Sequence, residues 1–160
     1  KRVGKLKVFM GGSLLVGVSG LARHLLPVEL LELFIGLSIV GTIGGMFCSI
    51  TQWGMVPDTV EYGEWKSGIR SEGIPFAFFS FTQKAGIAIA GAMTGWILSG
   101  AGYVANTELV PAAEKAIRLL FNVLPAVYSL ACMVVLCFYK LDRQQFDRIL
   151  VELNERHSNR

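Results

Sequence analysis

The order of apolar and charged positions divides this chain into long quiet stretches and short busy ones. No charged residue lies between Lys7 and Arg23, none between Glu32 and Asp58, and none between Arg118 and Lys140. From Glu72 to Glu108 the only charge is Lys84. A helix rises about 1.5 Å per residue and the hydrocarbon core is about 30 Å thick, so roughly 20 mostly apolar residues span it. The last three stretches meet that length. The first does so if Arg23 and His24 snorkel to an interface. A transmembrane barrel would alternate apolar and polar residues in segments of about ten, and this pattern is absent. The pattern predicts an all-α integral membrane fold of four transmembrane helices, near 7–26, 31–56, 75–100 and 117–139. A loop at 57–74 and an amphipathic tail at 140–160 complete the layout, the tail placing Phe146, Ile149, Leu150 and Leu153 between charges. That tail is expected as a helix on the membrane surface near anionic headgroups.

Composition agrees. Of 160 residues 52% are hydrophobic and 17% charged, which excludes a disordered tail. A net charge of +3, scattered along the chain, excludes a nucleic-acid binder. Cys48, Cys132 and Cys137 form no CxxC pair and have no nearby histidine, so they suit neither a disulfide framework nor a zinc site. His24 and His157 lie near opposite ends of the chain and cannot cooperate in catalysis. No catalytic residues, metal ligands or cofactor are expected, and the chain does not read as an enzyme. The opening KRVGKLK followed by VFMGGSLLVGVSGLA resembles a signal peptide, but three further apolar segments argue against an exported soluble product. A start in a basic, loop-like stretch without methionine suggests a piece of a longer protein.

Lysine and arginine in short loops set the orientation. Of fifteen such residues, eleven fall in the first stretch, the middle loop and the tail: Lys1, Arg2, Lys5, Lys7, Lys66, Arg70, Lys140, Arg143, Arg148, Arg156 and Arg160. Arg23, Lys115 and Arg118 fall on the other side. Both ends of the chain are therefore expected in the cytoplasm.

Small and polar residues show which faces meet inside the bundle. Ser38, Thr42, Gly45, Ser49 and Gln52 share one face of the second span, and Ser80, Lys84, Ala88, Gly91 and Gly95 share one face of the third. Gly41 with Gly45 and Gly91 with Gly95 make GxxxG pairs. Such stripes either pack helices closely or line a water-filled path. Pro125 should kink the fourth span, while Asn122 could face either the bundle or the outer interface. Lys84 stands apart from these. A lysine this deep costs roughly 2.5–3.5 kcal/mol on insertion scales and needs a partner, a cavity or a route to water. The acidic residues all lie in loops, in the tail, or at a span end (Glu29 and Glu32), so its partner is expected outside this chain.

The loop PDTVEYGEWKSGIRSEGIP carries Asp58, Glu61, Glu64 and Glu72 against Lys66 and Arg70. A solvated loop and an ion-paired clasp between two halves of a transporter are both compatible with it. P-D-T-V-E-Y-G-E-W-K, R-S-E-G-I and F-x-F-x-Q-K-x-G together resemble the glycoside–pentoside–hexuronide:cation symporters, the melibiose permease family. The likeness extends through Gly102-Tyr103, Ile117–Leu120 and F-Y-K-L-D at 138–142. That family belongs to the major facilitator superfamily, with twelve helices in two six-helix bundles. The resemblance implies that this chain corresponds to helices nine to twelve and the tail. It implies that Lys84 and Ser80 face the central sugar and cation cavity, beside the stripe residues Gln52 and Ser49. It also implies that Asp58, Glu61, Arg70 and Glu72 belong to an inner gate. The implied activity is symport of a sugar with Na⁺ or H⁺ by alternating access in the bacterial inner membrane. The implied partners are membrane lipid, a sugar and an N-terminal bundle carrying the main cation ligands. The alternative is a self-sufficient four-helix protein that oligomerises, although small carriers of that kind use an intramembrane carboxylate and this chain has none.

Overall fold

The computed structural model describes residues 4–27, 30–138 and 143–158. Lys1, Arg2, Glu29, Lys140, Arg160, the side chain of Arg143 and the motif positions 139–142 lie outside the described residues. The described part is helical, without strands: α1 (Lys5–Leu25), α2 (Leu31–Ser67), α3 (Gly73–Gly100), α4 (Pro111–Arg118), a π-helical turn (Leu119–Val123), α5 (Leu124–Cys137) and α6 (Arg143–Ser158).

Three helical stretches are long and apolar enough to cross a membrane: Lys5–Leu25, Leu31–Ser67 and Pro111–Cys137. The third of the four expected spans, α3, has sufficient length at 28 residues. It is not in that set, because Gln83, Lys84 and its glycines and hydroxyls dilute its apolar residues.

The packing is inverted relative to a soluble bundle. Buried positions of α1 are Gly12, Ser13, Gly17, Ser19 and Gly20, whereas Leu14, Leu15, Val18 and Leu21 are exposed. Lipid solvates leucine as well as another helix does, so association is left to small residues that let backbones approach. A Cβ added at Gly12 would lie 2.7 Å from the Gly44 carbonyl, and one at Gly44 would lie 2.7 Å from the Gly12 carbonyl. Gly41 receives the Ser19 hydroxyl in the same way, at 2.6 Å from an added Cβ. The next side of α1 takes the π-turn and α5, where an added Cβ at Gly20 would meet the Asn122 carbonyl at 2.6 Å. The α1–α2 seam therefore uses Gly41 and Gly44. Gly45, Gly91 and Gly95 face open space, so neither expected GxxxG pair packs a helix within this chain.

Two features depart from simple spans. First, α2 does not stop at Pro57 but continues for 37 residues to Ser67, about 55 Å at helical rise. Pro57 removes one backbone donor, and the turns after it are held by contacts to Lys5, Glu152, Arg156 and His157 rather than by helix propensity. The stop comes at Gly68, whose φ of 74° suits glycine and whose N–H bonds the Glu64 carbonyl at 2.7 Å. Most of the segment expected as a loop is thus a helical extension beyond the apolar run. Second, the fourth span accommodates Pro125 through the π-turn. The Leu124 N–H reaches back to the Leu119 carbonyl, which shifts the bonding register just before the residue that cannot donate. Asn122 in this turn faces the bundle. It is only 2% exposed, and its Oδ1 has no hydrogen-bond partner.

The tail helix α6 docks on protein through its apolar side, where Ile149 and Leu153 are buried. The expected helix is present, but those residues are covered by protein rather than by lipid.

Candidate functional site

The end of the bundle that carries Lys5 gathers most of the ion pairs. Lys5 Nζ contacts both oxygens of Asp58, at 2.7 and 2.8 Å, and donates to the Gly54 carbonyl at 2.8 Å. Asp58 is the more buried partner, its side chain 13% exposed against 51% for Lys5. Arg70 sits between two carboxylates, with Nη2 at 2.7 Å from Glu72 and Nη1 at 3.2 Å from Glu64. The hydrogen bonds it donates to Glu72, and then the charge of that carboxylate, hold the Arg70 guanidinium above its ordinary range. Glu64 also meets His157 of α6, Oε1 to Nε2, at 2.8 Å. Beside it Trp65 Nε1 donates to Glu152 at 2.6 Å, and Arg156 donates to the Trp65 carbonyl at 3.1 Å. One face of the α2 extension thus holds α1, the 68–72 turn and α6.

Of the four residues expected in this cluster, Asp58, Arg70 and Glu72 are paired, but Asp58 and Arg70 are not paired with each other. Glu61 makes no hydrogen bond or ion pair among the described residues. Burial first, and the Asp58 charge second, raise its carboxyl above the usual carboxylate range. Glu64, with its side chain 7% exposed, is the most connected carboxylate here. Sequence reasoning placed it in the charged loop without singling it out. Lys5, Glu152, Arg156 and His157 were also passed over as site members. Their partners lie 49 to 93 residues away in sequence, and no periodic pattern signals that separation.

The second region is the open side of α2 and α3. These helices meet where the Trp53 and Phe79 rings stack edge to face, with centroids 4.9 Å apart. No residue of α3 is buried. Lys84 is exposed and makes no hydrogen bond or ion pair among the described residues. Ser80, one turn away on the same face, is half-buried, while Ser49 and Gln52 on α2 are exposed. The chain does not bond these four residues to one another. They belong to the polar stripes of two helices that meet at Trp53 and Phe79, and all but Ser80 are exposed. At the end of α3, Gly102 adopts φ 74° while Tyr103 N–H bonds Leu98 O and Gly102 N–H bonds Ser99 O, each at 3.0 Å. This closes the helix through a left-handed residue and accounts for the Gly-Tyr pair.

Residues 1–143 match the family model described as MFS/sugar transport protein. The chain belongs to this family. Its relatives include the putative 2,3-dihydroxypropane-1-sulfonate exporter of Escherichia coli (strain K12), 34% identical over 98% of this chain and 34% of the relative. The glucuronide carrier protein homolog of the same organism is 34% identical over 97% of this chain and 34% of the relative. The isoprimeverose transporter of Lactiplantibacillus pentosus is 38% identical over 99% of this chain and 33% of the relative. The chain thus spans about a third of the length of these relatives. No solved structure matches it. The family assignment agrees with the likeness to glycoside–pentoside–hexuronide symporters and makes this a membrane-embedded, multi-pass transport-family chain rather than an enzyme.

Proposed function

We propose that this chain is the C-terminal part of a secondary carrier that moves a sugar or sugar acid across the bacterial inner membrane. In this reading its four spans are helices nine to twelve of a twelve-helix protein, and both its ends are cytoplasmic. Uptake is driven by Na⁺ or H⁺ as two bundles rock about a midplane site. The observation that carries the reading is Lys84, a cation with no partner among the described residues, on a helix with no buried residue and in a chain whose α2 polar stripe exposes Thr42, Ser49 and Gln52. An exposed lysine and two glycine- and hydroxyl-bearing faces are unfavourable against lipid and suit a water-filled cavity closed by a second bundle. The coverage of about a third of each relative supports the same conclusion. So do the relatives' names, which include a glucuronide carrier protein homolog and an isoprimeverose transporter.

Lys84, Ser80, Gln52 and Ser49 line the cavity in this reading, with Lys84 facing the coupling cation's carboxylates or the sugar. Asp58, Glu61, Arg70 and Glu72 belong to the inner gate. Asp58 and Arg70 are neutralised within the chain. Glu61 is left as the carboxylate available to a basic residue of the other bundle.

The test is cation-driven uptake of glycosides, pentosides and hexuronides by the full-length carrier in right-side-out vesicles. Wild type should accumulate at least one class when a Na⁺ or H⁺ gradient is imposed, and Lys84→Ala should abolish accumulation while leaving the protein in the membrane. Gradient-independent behaviour towards every sugar class would refute the assignment.

A further inference from the structure

At the bundle end opposite Lys5, Arg23 does not snorkel outward as expected. Its side chain turns back along α1, with Nε donating to the Ser19 carbonyl at 3.3 Å and Nη1 donating to the Ser38 hydroxyl of α2 at 3.2 Å. The guanidinium carbon lies 5.8 Å from the Phe34 ring centroid. Long side chains on a helix run towards its N-terminus, so an arginine one turn from the C-terminal end points into the bundle. The guanidinium passes beside Gly41, where an added Cβ would make an ordinary 3.9 Å contact with Nη2.

The result is a half-buried guanidinium fixed by two hydrogen bonds and an aromatic face, with no carboxylate paired to it among the described residues. Two other cations near the helix ends pair with carboxylates, Lys5 with Asp58 and Arg70 with Glu64 and Glu72, whereas Arg23, like Arg118 on the Leu26 carbonyl at 2.7 Å, bonds only uncharged oxygens among the described residues. Arg23 has N–H donors left over, in the planar fork that matches an oxyanion. Ser38, which anchors it, is also the first residue of the uncovered stripe that continues through Thr42, Ser49 and Gln52. Along α2 that stripe runs about 20 Å from Ser38 to Gln52. The fork therefore stands at one mouth of the face assigned above to the substrate path.

We propose that Arg23 is an oxyanion-binding residue that recognises the carboxylate or sulfonate of a sugar acid at the end of the α2 polar stripe. This rests on the transport reading and gives its sugar-acid substrates a contact point of their own on α1. A lipid phosphate has the same oxyanion chemistry. The substrate is the occupant to which the proposal commits, because Ser38 ties the guanidinium to the stripe rather than to the lipid-facing leucines of α1.

The experiment uses the full-length carrier in vesicles of phosphatidylethanolamine and phosphatidylcholine, with and without phosphatidylglycerol. Probes are methyl glucuronide with methyl glucoside, and methyl galacturonide with methyl galactoside, pairs that differ only at the carboxylate. In Arg23→Gln the KM for a transported uronide should rise about tenfold or more, the loss of a charge-assisted bond. The KM for the neutral partner should stay within about twofold, since it never used that bond. Arg23→Lys should fall between, keeping the charge but not the fork. Ser38→Ala, which removes one anchor only, should give a smaller rise confined to the uronide, and this arm decides the matter if Arg23→Gln does not reach the membrane intact. Equal changes for both sugars of a pair would assign Arg23 a structural role and overturn the proposal. A defect confined to phosphatidylglycerol vesicles would assign the fork to a headgroup and overturn it too. A wild type that carries neutral sugars but no uronide refutes the proposal alone, whereas one that carries no sugar refutes the transport reading and this proposal with it.

Discussion

Gly11 and Gly12 are neighbours on α1 with opposite surroundings, so they test the packing of the bundle with one added carbon each. Nothing lies within 4 Å of a Cβ built at Gly11, whereas one built at Gly12 meets the Gly44 carbonyl at 2.7 Å, Cys48 Sγ at 3.0 Å and Phe47 Cβ at 3.1 Å. Replacing glycine by alanine inside a helix is worth roughly 0.5–1 kcal/mol through backbone entropy. Gly11→Ala should realise that gain. Gly12→Ala should receive the same gain but force α1 and α2 apart by roughly 0.5 Å to restore van der Waals contact. The obstacle is backbone, not the end of a flexible side chain, so the strain falls in the overpacking range of about 1–3 kcal/mol. The two variants should therefore differ by about 2 kcal/mol in favour of Gly11→Ala, taking the middle of that range. Thermal unfolding of the full-length carrier in detergent, followed by loss of the monodisperse peak, reads the order directly. Equal midpoints, or a more stable Gly12→Ala, would refute the glycine-to-glycine crossing of α1 and α2.

Other expectations follow from the polar groups. Asn122→Leu keeps the branched frame but replaces a buried oxygen that has no partner among the described residues with a methyl, so it should stabilise the carrier by about 1 kcal/mol, checked by the same thermal midpoint; a loss would mean that Oδ1 is satisfied or that the site has no room for the larger methyls. A double-mutant cycle on Lys5→Met and Asp58→Asn should give a coupling of about 1 kcal/mol, between the values of exposed and buried pairs. Glu61 has a folded-state pKa raised by burial and by Asp58, so its protonated form is the favoured one. Its stabilising contribution is full below the ordinary carboxylate pKa and is lost as pH rises through the raised value. Glu61→Gln should flatten that part of the stability–pH curve and stabilise the protein at neutral pH. An unchanged slope above the ordinary carboxylate pKa would refute the assignment of that slope to Glu61.

Much of this was legible before any coordinates. The charge-free runs located α1, α2 and the fourth span because lipid tolerates few charges whatever the tertiary arrangement. Lys84 was legible as an unpaired cation because the carboxylate inventory of the chain could be read off directly. Pro125 announced a disturbance in the fourth span, although not that it would take the form of a five-residue π-turn with Asn122 inside it. The end of the second span was misplaced because the charge-free run stops at Asp58, whereas the helix runs on through Pro57 to Ser67. A proline removes one bond wherever it lies, and whether the helix goes on depends on what holds the next turns, here Lys5, Glu152, Arg156 and His157.

What the sequence determined by itself is the solvent of each segment and the period of each helix, since both depend on the side chains of that segment alone. It fitted the chain to a membrane, to a helical class and to a transport family. The tertiary structure decided which of several equivalent small residues touch. Gly41 with Gly45 has the better sequence motif, but Gly44 meets Gly12 because the rotation of α2 about its axis is set by the whole α1 surface. It also decided the direction of Arg23, whose length allowed either the interface or the bundle, and which distant charges meet at Glu64. Those choices depend on the relative placement of helices, which no local pattern encodes.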